Sequence, residues 1–212
     1  MDRFHVKCVA QNEGNLKQVS RLMQPTQKAA RLISGVRRQE IESMNTALLI
    51  IDVQQSLVDE GIWDSERIIK RINQLIAKAR NEQAPIILVR DARVEPGGEF
   101  HRSIDRESHD IEIVKNFCNS FMETRLDDFL RNRNIGALVI GGIQTDFCVD
   151  TTCRHAAALG YDVILVSDAH STLDHEHLKA EQIVAHHNRI LSNFKSSKGR
   201  VRVLDTAKVQ FR

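Results

Sequence analysis

From Thr46 onward the chain alternates between short unbroken apolar runs and longer stretches whose apolar residues recur every three or four positions. "TALLIIDV" is a continuous apolar run, as expected of a strand buried on both faces of a sheet. In "DSERIIKRINQLIAKARNEQ" the residues Ile68, Ile72, Leu75, Ile76 and Ala79 fall at helical spacing, and Asp64 or Ser65 is placed to cap that helix. "APIILVRD" reads as a second strand, "IEIVK" as a third, "GALVIGG" as a fourth, "YDVILVSDA" as a fifth and "GRVRVLDT" as a sixth. "ETRLDDFLRNRN", "TDFCVDTTCRHAAALG" (closed by Gly160) and "HEHLKAEQIVAHHNRILSNF" read as helices. "ARVEPGGEFHRSIDRESHD", with Pro96, Gly97 and Gly98, reads as a long polar loop. This alternation predicts an α/β fold: a three-layer αβα sandwich around a six-stranded, mainly parallel sheet.

Residues 1–43 do not share the pattern. Their helical periodicity is weak and is broken by Pro25 and Gly35. They carry eight Lys/Arg against four acids, which leaves the remaining chain with about two excess negative charges. Met44 then opens "MNTALLIIDVQQSL", a natural start for the α/β domain at 44–212. Residues 1–43 are therefore expected to be a basic extension, helical or partly disordered, or the product of an upstream start site.

Charge and composition narrow the function. The formal net charge of +2 makes no electrostatic case for nucleic acid. "ALLII" and "ALVIGGI" are too short to span a bilayer, and no secretory signal is visible. Cys8, Cys118, Cys148 and Cys153 form no Cys-x-x-Cys pair, so free thiols in a reducing, cytoplasmic setting are expected. No Gly-x-Gly-x-x-Gly follows the first strand, which argues against a dinucleotide fold. His175, His177, His186 and His187 lack the order of a zinc helix and fit a polar flank as well.

Ligands in such sheets bind beyond the carboxyl ends of the strands. Three polar residues sit at those ends: Asp52 after "ALLII", Lys115 closing "IEIVK", and Cys148 just past the fourth strand. With Thr145 as N-cap, Cys148 lies in the first helical turn, where free N–H groups and the helix dipole favour a thiolate. Cys153, deeper in the helix, reads as packing. Taken singly, each site residue has a plainer reading: a small core hydrophobe for Cys148, a turn former for Asp52, a surface amine for Lys115.

Taken together, with the stretches "ALLIIDVQQSL", "VKNFCNSFMETRLDDFL" and "LVIGGIQTDFCVDTTCRHAAALGYDVILVSDA", they resemble the isochorismatase-like cysteine hydrolases over residues 45–205, about three-quarters of the chain. That family includes nicotinamidases and N-carbamoylsarcosine amidohydrolases. The resemblance implies Cys148 as nucleophile, Asp52 as general acid/base and Lys115 as its charged partner. It implies a cis peptide at Ile143–Gln144, with the N–H groups of Gln144 and Cys148 forming an oxyanion hole. It also implies cofactor-independent acyl transfer through a Cys148 thioester on a small amide or carbamoyl substrate. Gln54, Leu57, Phe117 and Phe121 are the expected pocket residues, and a homo-oligomer, dimer or tetramer, is the expected assembly. Two alternatives stand beside this: vinyl-ether hydrolysis of isochorismate, and a catalytically silent binding or assembly member. The nicotinamidase branch holds a metal through Asp-x-His after the second strand. Here Asp91 is followed by Arg93 in the histidine's place, so no metal is expected.

Overall fold

Strand β1 (Asn45–Ile51) shows why the apolar runs are unbroken. Its Ala47, Leu49 and Ile51 point into one core, and Leu48 and Ile50 into another on the opposite face. Strands β2 (Ile86–Asp91), β4 (Ile135–Ile143) and β5 (Asp162–Ser171) divide their side chains between the same two cores, with period two over residues 86–89, 138–140 and 163–166. The computed structural model describes residues 45–212, so the expectations for residues 1–43 lie outside the described residues.

The sheet has six strands in the order β3-β2-β1-β4-β5-β6, with β3 at Ile111–Lys115 and β6 at Arg200–Leu204. Every neighbouring pair is parallel. Chain order reverses direction across the sheet between β1 and β4, which is where such folds open a crevice.

Helix α1 (Gln55–Asp59) is a single short turn that the apolar pattern did not signal. Helix α2 (Ser65–Asn81) lays Ile68, Ile72, Leu75, Ile76 and Ala79 on one face of the sheet. Each fully buried Leu or Ile there contributes roughly 1.5–3 kcal/mol. Asp64 occupies its N-cap position but makes no capping hydrogen bond. It holds a left-handed φ of 52°, and its carboxylate pairs with Arg67 instead.

Helices α3 (Leu126–Asn132) and α4 (Asp150–Leu159) cover the other face through Leu126, Leu130, Cys153, Ala156 and Ala157. Helix α5 (Ala180–Leu191) seals the same core with Leu191. Gly160 ends α4 at φ 109°, and its N–H donates to the last carbonyls.

The expected start of α4 at Thr145 is corrected. Residues Thr145–Val149 form a π-helical turn, and α4 proper begins at Asp150. Gln144, not Thr145, stands in the capping position, and its carbonyl accepts from the N–H groups of Phe147 (3.2 Å) and Val149 (3.1 Å). Thr145 is fully buried and uses its hydroxyl elsewhere, against His170 at 2.9 Å.

Candidate active site

Four adjacent strands each deliver one polar side chain to the same rim. β3 ends at Lys115, β2 ends at Asp91, Asp52 follows β1, and Cys148 sits in the π turn beyond β4. The register sets this: Asp91 lies beside Lys115, and Ile51 lies between Val89 and Gly142. Gly142 permits the close approach of β4 to β1. At φ 123° a side chain there would be strained, and its Cβ would meet the Ile51 carbonyl oxygen at 2.1 Å. The chain then passes through the cis Ile143–Gln144 peptide into the Cys148 turn.

The Lys115 ammonium is the hub. It lies 2.8 Å from Asp52 Oδ2, 3.1 Å from Asp91 Oδ2 and 3.3 Å from Cys148 Sγ, and it is wholly buried. A lysine this deep persists because its charge is matched. Burial alone would lower its pKa, yet the charge of Asp52 and its other partners holds it above the ordinary lysine value.

Asp52 is 1% exposed with a left-handed φ of 53°. Burial pushes its carboxyl up to about 6 against the opposing pull of Lys115. Its second oxygen, Oδ1, has no hydrogen-bond partner among the described residues. Asp91 behaves oppositely. Burial works to raise it, but the hydrogen bonds from Arg93, and then Lys115, hold it well below the usual carboxylate range. Arg93 donates its Nε to Asp91 Oδ1 (2.9 Å) and an Nη2 hydrogen to Oδ2 (2.5 Å).

Cys148 departs from the expected thiolate. Burial first, and then the negative charge of Asp52, push its thiol far above the ordinary range. The charge balance explains this. Lys115 and Arg93 already match Asp52 and Asp91, so a thiolate would add an unmatched anion to a buried cluster. Burial thus sets a Cys148 thiol, pushed up, beside an Asp52 carboxyl itself pushed up to about 6, an arrangement suited to base-assisted attack.

Beneath the π turn, His170 is fully buried and burial pushes its pKa down to about 4. Asn188 donates its amide to the Ser167 carbonyl, so its oxygen accepts from His170 Nε2 (3.0 Å), and His170 Nδ1 accepts from the Thr145 hydroxyl. The neutral ring pins the turn from below.

A cavity of about 320 Å³ opens over these groups. Leu57 lines it, with Val94 and Phe147 completing its apolar walls. Three expected pocket residues are corrected. Gln54 is fully buried: its Nε2 donates to the Asp91 and Gly98 carbonyls (3.1 and 2.7 Å) and its Oε1 accepts from the Asp91 N–H (2.8 Å), so it clamps the rim instead of lining the cavity. Phe121 packs in the core against Tyr161 and His155. Phe117 is exposed and is not among the lining residues, although Cys118 next to it is. The aromatic wall is Phe147, projected by the π turn, whose winding the sequence did not signal. Asp91 and Arg93, noted in the sequence only as a departure from a metal motif, are constituents of the site. Cys153 is fully buried in the core, as its place in the helix implied.

A resident metal does not fit here. Asp52, Asp91 and Cys148 offer ligand atoms within 4.8 Å of one another. The Lys115 ammonium already lies within 3.3 Å of all three, and Arg93 grips both oxygens of Asp91. The flanking histidines are spent separately: His175 on Asp146, His187 on the Ile183 carbonyl, and His177 largely in solvent beside Glu176.

The isochorismatase domain model matches residues 46–192. The chain belongs to the isochorismatase family. A crystal structure of an isochorismatase family protein superposes with a TM-score of 0.70 at 33% identity, covering 76% of this chain and 98% of the other. An isochorismatase from Pseudomonas putida KT2440 gives 0.70 at 26% identity, covering 78% and 90%. Among curated relatives, a streptothricin hydrolase of Streptomyces noursei is 30% identical over 138 residues, 60% of this chain and 55% of that protein. The chain thus spans about half the length of the streptothricin hydrolases it matches. An Arabidopsis thaliana protein named a probable inactive nicotinamidase is 30% identical over 156 residues, 59% of this chain and 80% of its own length. Among the described residues no helix of this isochorismatase-family chain is long and apolar enough to cross a membrane.

Proposed function

We propose that this isochorismatase-family hydrolase cleaves a small amide or carbamoyl C–N bond through a Cys148 thioester, without a cofactor. The observation that carries the reading is the contact of one buried ammonium, Lys115, with both Asp52 (2.8 Å) and Cys148 (3.3 Å). Asp52 removes the Sγ proton as sulfur attacks the carbonyl carbon. The resulting oxyanion is received by the N–H groups of Gln144 and Cys148. The Gln144 carbonyl is engaged by the N–H groups of Phe147 and Val149 and not by that of Cys148. Protonated Asp52 hands its proton to the departing nitrogen, and the C–N bond breaks. Asp52 then takes a proton from water, whose oxygen attacks the thioester, and the proton returns to Cys148 as the acid product leaves. Lys115 stays charged throughout and keeps the Asp52 carboxylate and the forming thiolate from facing each other unscreened.

The test has two arms. Iodoacetamide with peptide mapping is expected to alkylate Cys148 far faster than Cys118 or Cys153. Ammonia release is then measured across a panel of small amides and carbamoyl compounds, with Cys148→Ala expected to abolish turnover and stay folded. Equal labelling of the three cysteines would sink the nucleophile assignment. A silent, binding-only member is the second reading, favoured by the raised Cys148 thiol and by a relative named as inactive. It predicts an inert Cys148 and no ammonia from any compound.

A further inference from the structure

Arg93 has a task left over after it has held Asp91. A guanidinium presents two forks, one through Nε and Nη2 and the other end-on through Nη1 and Nη2. Asp91 fills the first, with Nε on Oδ1 and Nη2 on Oδ2. Nη1 has no hydrogen-bond partner among the described residues, and the side chain is 54% exposed on the wall of the cavity. The Cys118 thiol beside it is a weak acceptor that a stronger one would displace. The other walls, Leu57, Val94 and Phe147, are apolar. Asp52 and Asp91 are already matched by Lys115 and Arg93, so among the described residues the only cationic donors lining the open cavity are those of Arg93.

We propose that the end-on fork of Arg93 is the substrate anchor and takes a carboxylate, so that the substrate is a short amide acid. This rests on Cys148 being the nucleophile. Contacts of 2.5, 3.1 and 3.3 Å link Arg93 Nη2 through Asp91 and Lys115 to Cys148 Sγ, so the two atoms are less than ~9 Å apart. A hydrogen bond of about 2.9 Å at one end and an attack distance of about 3 Å at the other leave at most roughly 3 Å between carboxylate and scissile carbonyl. That is no more than two or three bonds. A planar carboxylate matches the fork in both geometry and charge, which a neutral amide does not.

Iodoacetate and iodoacetamide test this directly, since they deliver the same carbon to sulfur and differ in one charge. Alkylation of Cys148 is followed by mass spectrometry, and the iodoacetate-to-iodoacetamide rate ratio is compared with that of a small free thiol under the same conditions. The ratio is expected to exceed the free thiol's at least tenfold. The iodoacetate rate should saturate, and propionate should slow it while chloride at equal ionic strength does not. Arg93→Gln should bring the ratio down to the free-thiol value, and Arg93→Lys should leave it in between. A wild-type ratio at or below the free thiol's, or no competition by propionate, would overturn the anchor whatever the variants do. A ratio unchanged in folded Arg93→Gln would do the same. A Cys148 inert even to iodoacetamide would overturn the nucleophile reading, and the anchor with it.

Discussion

Replacing Lys115 with Met removes the one cation shared by two buried carboxylates and keeps the length of the side chain. At 2.8 and 3.1 Å, and an effective dielectric of about 20, the ammonium attracts each carboxylate by roughly 5–6 kcal/mol before desolvation is subtracted. Removing one partner of a buried ion pair leaves an uncompensated charge, at a net cost of about 3–5 kcal/mol. For a domain of this size that is a fall in Tm of roughly 6–20 °C. Asp52 is the group able to escape the penalty by protonating, because Asp91 keeps Arg93. Its folded pKa, already up at about 6, should rise further without Lys115, while in the unfolded chain it returns to the ordinary carboxylate value. A carboxyl raised on folding costs stability above its folded pKa and is relieved as pH falls through that value. The deficit of Lys115→Met against wild type is therefore expected to be largest at pH 8 and to shrink on the way to pH 5.5. Urea unfolding of both proteins across that range measures it. A deficit below ~1 kcal/mol, or one that stays constant with pH, would refute the buried triangle of charges.

Iodoacetamide alkylation of Cys148 should inflect near pH 6, set by Asp52, instead of climbing through the range of an ordinary thiol, and Asp52→Asn should remove the inflection and slow the reaction about 10²–10⁴-fold. A rate that keeps rising log-linearly through pH 9 would show that Cys148 ionises by itself. Gly142→Ala should cost about 3 kcal/mol or more, since φ 123° is strained for alanine and its Cβ would lie 2.1 Å from the Ile51 carbonyl oxygen. Denaturant midpoints for that variant within error of wild type would contradict the close packing of β1 on β4.

Much was legible from the residues alone, because a parallel sheet covered on both faces leaves a direct trace. Each central strand must be apolar at every position, and each covering helix at every third or fourth. That pattern located all six strands, helix α2 and the glycine stop of α4. Asp52 and Lys115 were visible for the same reason, as polar residues closing apolar runs. What the tertiary structure decided is how these residues modify one another. Helix-terminal position pointed to a thiolate at Cys148, but burial and the adjacent Asp52 charge reverse that, because an ionisation depends on the summed field of neighbours from four strands. The pocket walls followed the same logic. Phe117 and Phe121 were expected to line the pocket, yet strand register and a π-helical turn chose Phe147. Arg93 read only as a histidine lost from a metal motif. Its fork on Asp91 is local, but its unfilled edge faces a cavity that exists only once β2 ends beside β1 and β3.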